Sequence, residues 1–177
     1  MTQKTILAIV ILCTVLLGVS PVRAQQAAPP YPLDIVPEKM PADIPYGMPI
    51  SLERAEAAIA AAVTEAKKHD WKLNVAIVDS GGNLVAFQRM DGAQLASIQI
   101  SQHKAHTALS FRRETKAFEK GIQLNNFNYI LTLDGVIASR GGIPLVEGGK
   151  IIGAIGCSGG QGSQDEVACK AGAAIIK

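Results

Sequence analysis

Two paired-glycine turns constrain the fold of this chain more than any other feature. Gly81-Gly82 and Gly148-Gly149 each separate two apolar, strand-like runs. Because glycine accepts the positive φ angles that tight hairpin turns need, both patterns predict β-hairpins. The predicted strands are residues 73–79, 83–89, 143–146 and 150–158. Since each hairpin leads into a helical pattern, we expect an α+β fold, an antiparallel sheet flanked by helices.

Three segments carry the apolar spacing of α-helices. They cover residues 51–69, residues 95–111 and a stretch that begins at 163. Ser163 and Glu166 fit a capping box at the start of the last helix, because each side chain could bond a free backbone amide of the other. Residues 112–134 predict short helical turns and loops instead, with aromatic side chains as core filling.

The first 24 residues have the pattern of a secretory signal peptide. Lys4 provides a positive start, an apolar stretch covers residues 6–19, and Val22-Arg23-Ala24 ends in the small residue that cleavage requires. The apolar stretch is short for a bilayer span, so we expect a mature chain without one. The signal predicts a periplasmic or secreted protein.

Residues 25–50 form a proline-rich arm ahead of the predicted domain, which covers residues 51–177. Seven prolines lie between Gln25 and Pro49, and this density excludes helix and central strand and favours extended backbone. Apolar side chains between the prolines make the arm less polar than a plain linker. Two interpretations stay open, a disordered leader or a strap that lies on its own domain or on a neighbouring subunit.

Charge and cysteine content bound the class of protein. Loss of the leader removes Lys4 and Arg23 and no acid, so the 17 basic residues fall to 15 and match the 15 acidic residues. A neutral chain without a basic stripe predicts no nucleic-acid partner. Cys157 and Cys169 could pair in an exported protein, although two unpaired small buried residues fit the pattern slightly better.

The helix predicted over residues 95–111 is the main candidate site. At 100° per residue it carries two apolar stripes on either side of a polar ridge. The first stripe comprises Leu95, Ile98, Ala105 and Leu109. The second comprises Ala96, Ile100 and Phe111, with Lys104 and Thr107 beside it. The ridge comprises Gln99, His103, His106 and Ser110. Two apolar faces predict burial on two sides, one against the sheet and one against a partner subunit or a ligand.

His103 and His106 are the candidate metal ligands. Positions i and i+3 share one helix face, and neutral imidazole is a common ligand of zinc, copper, nickel and haem iron. The residues alone also fit two solvated or subunit-interface histidines. The sequence contains neither the His-Glu-x-x-His zinc signature nor the Cys-x-x-Cys-His attachment of c-type haem.

Other polar groups have ordinary explanations. Arg89 and Asp91 could bind a carboxylate, with a local ion pair as the default. Asp165 and Glu166 could act as an acid–base pair, but the predicted capping box already accounts for Glu166. Glycines between residues 153 and 162 do not fit dinucleotide or Walker spacings, so they predict close packing of strand against helix. No nucleophile elbow is present, and we expect no catalytic site.

Six ordered motifs resemble the GlcG/HbpS-like family of haem-binding proteins, from about Ser51 to the C-terminus. They are VAIVDSGGNLV (75–85), MDGA (90–93), KAHTA (104–108), GGIPL (141–145), IGAIG (152–156) and QDE (164–166). The chain departs from the family pattern near Arg113, which is not followed by the proline often found there.

The resemblance implies a profilin-like fold, a homo-oligomer (an octamer in some members) and binding of haem or a related tetrapyrrole. It implies iron sequestration or redox sensing without established turnover. Its Lys-Ala-x-Thr segment falls on Lys104, Ala105 and Thr107, which marks these residues as haem-contacting. Phe111 is a further candidate for contact with the cofactor. His103 and His106 do not inherit a role from the family, and their assignment as ligands is a separate hypothesis. The alternative function is a small organic-acid-binding protein or enzyme that uses Arg89, Asp91 and Lys104.

Overall fold

The computed structural model describes Asp34, residues 36–40 and residues 42–176. The predicted leader and the first part of the proline-rich arm lie outside the described residues. Residues 36–177 form one unit of the chain, and the fold below belongs to it. Within the described residues, no helix is long and apolar enough to cross a membrane.

The elements follow the predicted order closely. The helices are α1 (Leu52–Lys68), α2 (Ala96–Ser110), α3 (Lys116–Asn125) and α4 (Gly162–Ala173), and a short 3-10 helix covers Asn128–Thr132. The strands are β1 (Asn74–Asp79), β2 (Leu84–Arg89), β3 (Gly142–Glu147) and β4 (Lys150–Ser158). Both hairpins are confirmed, with strand boundaries within one residue of the prediction.

The prediction of short turns and loops over residues 112–134 is wrong for α3, a helix of ten residues. Its start is fixed by a contact distant in sequence. The backbone N–H of Thr115 donates to Gly142 O at 3.0 Å, and the Thr115 hydroxyl accepts from Gly142 N at 2.9 Å. Asn126, in the left-handed region at φ 55°, ends the helix.

The described strands form one antiparallel sheet in the order β2-β1-β4-β3. This confirms the predicted α+β class. The first hairpin has apolar residues on both faces of its strands, which predicts that both faces are covered. This prediction is confirmed for β1, where residues 74–78 are buried. It is wrong for β2, which is an edge strand with partly exposed side chains.

The core lies in two clusters on opposite faces of the sheet. Alternation along β1 directs Val75 and Ile77 into the larger cluster, which α1 and α4 cover, and Val78 into a smaller cluster beneath α2. The smaller cluster also contains Ala105, Ala108 and Leu109 from α2. The site on α2 therefore rests on one face of the sheet, with two helices on the other.

Glycines bring α2 unusually close to the sheet. A Cβ added to Gly156 of β4 would lie 1.9 Å from Ser101 O, and one added to Gly142 of β3 would lie 2.2 Å from Lys104 O. This confirms the predicted close packing of strand against helix.

The same proximity corrects the predicted stripes of α2. The face toward the sheet carries mainly small side chains, whereas Leu95 is 70% exposed and Ile98 is half-buried. The buried residues are Ser97, Ser101, Lys104, Ala105, Thr107, Ala108 and Leu109. Large apolar residues cannot face the strands where α2 approaches Gly142 and Gly156, although Leu109 near the end of α2 packs in the smaller cluster.

The end of the proline-rich arm lies on its own domain, as the strap interpretation expects. Ile151 N donates to Pro45 O at 2.8 Å, and Gly47 N donates to Ile151 O at 2.7 Å, so Tyr46 forms a parallel bridge beside the start of β4. Ile50 N then donates to Ile152 O at 2.9 Å. The arm therefore pairs with the start of β4, whereas β1 pairs only with residues 153–158 of that strand.

Two details of α4 differ from the predictions. Cys157 and Cys169 form a disulfide, with their Cα atoms 5.6 Å apart, so the preferred reading of two unpaired cysteines is wrong. The cap of α4 is Gln161, whose backbone N–H donates to the Gln164 side chain at 2.8 Å. The predicted capping box of Ser163 and Glu166 is therefore absent, and Glu166 is free for other contacts.

Candidate functional site

Two open cavities of about 470 Å³ and two smaller ones mark the described surface, and only one of these four contains a residue of the predicted haem site. This is the His106 cavity, about 370 Å³, between α2, the β1–β2 turn and the arm. Its lining comprises Tyr46, Ser80, Gly81, Gly82, His106, Leu109 and Ser110.

The imidazole of His106 is half-buried at the wall of this cavity. Its ring atoms would lie 3.6 Å from a Cβ placed on Gly82, an ordinary van der Waals distance, so the ring lies directly beside the turn. Among the described residues, His106 makes no side-chain hydrogen bond. An uncommitted imidazole beside open space can accept a proton or ligate a metal.

The turn opposite His106 is held rigid by Asp79. The Asp79 carboxylate accepts from Gly81 N at 2.8 Å and from Asn83 N at 2.9 Å. Burial acts to raise the pKa of Asp79, but the hydrogen bonds from Asn83 and the turn amides outweigh it and lower the pKa. Asp79 therefore stays ionised at neutral pH and fixes the turn, as the turn chemistry predicts.

Tyr46 is a member of the cavity that sequence reasoning missed. Its hydroxyl donates to Leu109 O at 3.0 Å and is 3.3 Å from Ser110 O, the last carbonyls of α2. The phenol therefore ties the arm to the helix that carries His106. The sequence offers only one signal for this role, an aromatic residue inside a segment otherwise dominated by proline.

His103 lies on the same polar ridge, one turn before His106, and is exposed. It does not line the His106 cavity. In the described part of the chain, no group of three histidine, cysteine or acidic side chains is placed to hold a metal ion. Joint ligation by His103 and His106 stays a prediction.

Lys104 is buried in an ion pair. Its Nζ lies 2.8 Å from Asp165 Oδ2, and the two side chains are 2% and 3% exposed. Gly160 N donates to the other carboxylate oxygen at 3.0 Å. Burial raises the pKa of Asp165, against the lowering influence of Lys104 and of the Gly160 and Gly159 amides. The pair links α2 to α4, and its burial keeps the Lys104 ammonium away from a surface ligand.

Thr107 and Phe111 are also engaged within the chain. The Thr107 hydroxyl donates to Gly135 O at 2.8 Å and accepts from Ile137 N at 3.0 Å. Phe111 packs edge-on against Phe118, with ring centroids 5.0 Å apart. Contact of Lys104, Thr107 and Phe111 with haem stays a prediction, and in this fold all three hold neighbouring elements together.

A charged network that the sequence did not reveal surrounds Glu166. Its carboxylate lies 2.8 Å from Lys116 Nζ, 2.5 Å from Lys170 Nζ and 3.4 Å from Arg140 Nη1. Burial acts to raise the pKa of Glu166, but the hydrogen bonds from both lysines lower it. Glu166 and Asp165 each have their own cationic partners, so the structure does not bring them together as an acid–base pair.

The fold and these motifs define a small α+β domain of the HbpS type, and comparison with known proteins agrees. The family model "Haem degrading protein HbpS-like" matches residues 50–174, and the chain belongs to this family. Protein GlcG of Escherichia coli K12 is 42% identical over 109 residues, 62% of this chain and 81% of GlcG.

Solved structures share the fold. HbpS of Streptomyces reticuli, crystallised as a double mutant, superposes with a TM-score of 0.68 at 30% identity, over 80% of this chain and 99% of that one. A structure described as a PduOC:heme complex superposes with a TM-score of 0.66 at 28% identity, over 73% of this chain and 96% of that one.

Proposed function

We propose that this chain is an exported haem-binding protein and that His106 supplies a ligand to the haem iron. One observation carries the assignment of the residue: the His106 imidazole has no hydrogen-bond partner among the described residues and lines an open cavity. Membership of the HbpS-like family and the structural similarity to a protein solved with haem support the choice of ligand.

The residues around His106 fit a haem group at an open surface site. A neutral imidazole is a suitable axial ligand, and haem supplies a one-electron redox centre when bound. The hydroxyls of Ser80 and Ser110 line the same cavity and could donate to carboxylate groups, whereas the Tyr46 hydroxyl already donates to Leu109 O. His103, exposed one helical turn away, is the candidate for a second contact on the same ridge.

Two features support export. The first 24 residues have the pattern of a cleaved signal, and Cys157 and Cys169 form a disulfide that is fully buried. Disulfides persist in oxidising compartments such as the periplasm and are rare in the bacterial cytosol. Fractionation of cells that express the chain should place it in the periplasm or the medium, shortened at its N-terminus. A cytosolic protein of full length would contradict this part of the proposal.

Titration of purified protein with haemin tests the assignment. We expect a saturable Soret shift, and at least tenfold weaker binding, about 1.4 kcal/mol, in His106→Ala. His69→Ala is the matched control, because His69 lies at the far end of α1 and stacks on Trp71 instead of lining the cavity. His103→Ala reports whether the second ridge histidine contributes.

The variant Thr107→Val separates this site from the one that the family resemblance implies. Because Thr107 is buried, we expect it to lose stability and to keep the Soret spectrum of the unaltered protein. An unchanged titration in His106→Ala, or a spectrum lost only in Thr107→Val, would overturn the assignment of His106.

The family description gives a second candidate function, haem degradation. The haem-loaded protein should be incubated in air with ascorbate while the Soret band and free iron are measured. For a binding protein we expect the band to persist. Loss of the band with release of iron, at a rate that His106→Ala abolishes, would establish degradation instead.

We also propose that the chain forms a homo-oligomer. Large apolar side chains remain exposed on several elements, among them Leu52 (54%), Leu84 (49%) and Leu95 (70%). Leu84 lies on β2, an edge strand whose outer backbone groups are unpaired within the described sheet. Light scattering should give a multiple of the chain mass, and Leu84→Lys should lower it. A monomer at micromolar concentration would contradict this proposal.

A further inference from the structure

A second cavity, about 330 Å³, lies at the end of the first hairpin that is remote from His106. We call it the Arg89 cavity. It is lined by side chains from α1, from β2 and from the turns that flank the hairpin. These residues are Val63, Lys67, Lys72, Gln88, Arg89, Met90 and Asp91. Three of them are cations and one is an acid.

Two of the three cations of this cavity have no ion-pair partner within the described structure. The expected local ion pair between Arg89 and Asp91 does not form, and neither Arg89 nor Lys67 has an ion-pair partner among the described residues. Lys72 is paired with Asp70 outside the cavity lining. Two uncommitted cations therefore face one cavity, and one of them is a guanidinium whose planar fork suits a carboxylate.

The floor of the Arg89 cavity is apolar. Val63 of α1 and Met90, which follows β2, are 5% and 8% exposed, and both belong to the larger core cluster. Cations at the rim of an apolar floor match an anion that carries its charges at the ends of a hydrocarbon chain. A compact inorganic anion would leave the floor uncovered.

We infer that the Arg89 cavity binds a short-chain dicarboxylate, with one carboxylate on Arg89, the other on Lys67, and the methylene chain on Val63 and Met90. Lys104, which the sequence grouped with Arg89 in the organic-acid alternative, takes no part, because it is buried against Asp165. The ligand class follows from two unpaired cations, against the single unpaired carboxylate of Asp91, and from the apolar floor.

This site is separate from the proposed haem site. Arg89 is the last residue of β2, whereas the Gly81-Gly82 turn beside His106 lies just before the first. The two sites are therefore at opposite ends of a six-residue strand, which is about 20 Å long. The Arg89 cavity also includes residues of α1, which packs on the opposite face of the sheet from α2. Success or failure of one proposal is therefore independent of the other.

Calorimetric titration of the purified protein with succinate, at constant ionic strength, tests the inference. We expect saturable binding with a dissociation constant of about 1 mM. Butyrate, with one carboxylate, should bind at least tenfold more weakly, and the uncharged succinamide should not bind.

Variants assign the binding to the cavity. Arg89→Gln should weaken succinate binding at least tenfold. The affinity of Arg89→Lys should lie between those of the unaltered protein and Arg89→Gln, because a point charge replaces the planar guanidinium. Lys68→Gln is the matched control, since Lys68 follows Lys67, pairs with Glu65 and does not line the cavity. Arg89 is exposed, so its variants should keep the melting temperature of the unliganded protein.

Three results would overturn the inference. The first is the absence of saturable succinate binding. The second is equal binding of phosphate or sulfate, which would show a general response to anions. The third is succinate binding that is unchanged in Arg89→Gln.

Discussion

The buried pair of Lys104 and Asp165 gives a prediction that separates a structural role for Lys104 from a haem-contacting one. Replacement of Lys104 by methionine leaves a carboxylate that is 3% exposed without its cation. Removal of one partner of a buried pair costs about 3–5 kcal/mol. We therefore expect Lys104→Met to lose stability to this extent at neutral pH. Lys120→Met, on the exposed side of α3, should lose little.

The loss should depend on pH in a defined direction. Burial already raises the pKa of Asp165 above its ordinary value of 3.8, and Lys104 opposes this rise. A folded state that holds the proton more tightly than the unfolded state loses stability as pH rises from the ordinary pKa to the folded pKa. Without Lys104 that window extends to higher pH. The deficit of Lys104→Met should therefore be small near pH ~4 and full near pH ~7.

Urea unfolding at both pH values measures these free energies. The double variant Lys104→Met/Asp165→Asn should recover most of the loss at neutral pH, because the amide is uncharged and its oxygen can still accept from Gly160 N. A deficit that is equal at both pH values would show that the unpaired charge of Asp165 is not its cause. So would a double variant no more stable than Lys104→Met.

Three further predictions concern the packing of the helices. Gly156→Ala should cost about 1–3 kcal/mol in urea unfolding, because its Cβ would meet the backbone of α2, and an unchanged midpoint would contradict the packing. Glu119→Gln should flatten the fall in stability below pH 4.5, because hydrogen bonds from Arg140 lower the pKa of Glu119 in the folded protein. The stabilisation by ionised Glu119 is present above pH 4.5 and is lost as the pH falls through the folded pKa. A stability that falls equally steeply with acid in the variant would exclude this role. Cys169→Ala should lower the free energy of unfolding by about 2–4 kcal/mol in oxidising buffer, because it removes the disulfide between cysteines 12 residues apart. Addition of a reductant should not lower the stability of this variant further.

The fold was largely predictable because its signals are local. The turns at Gly81-Gly82 and Gly148-Gly149 and the apolar runs beside them are each contained in a short stretch, so hairpins and strand boundaries follow from the residues alone. The start of α3 was not predictable in this way. It depends on hydrogen bonds between Thr115 and Gly142, 27 residues apart in the chain.

The candidate site was only partly predictable, because burial on α2 depends on residues far away in sequence. Helical spacing placed His106 on a polar ridge, and the structure places it at an open cavity. The same spacing could not show that Lys104 is buried, since its partner Asp165 lies 61 residues later. Tyr46 was missed because the position of the arm depends on pairing with β4, and no pattern inside the arm encodes that pairing.

The identity of the haem iron ligand decides whether His106 is the residue that binds haem. Electron paramagnetic resonance of the ferric haem complex, with pulsed detection of nitrogen couplings, should be recorded on protein labelled with ¹⁵N-histidine. We expect a ¹⁵N coupling from an axial imidazole that persists in His69→Ala and disappears in His106→Ala. A histidine coupling that survives in His106→Ala, or a complex with no histidine nitrogen on the iron, would contradict it.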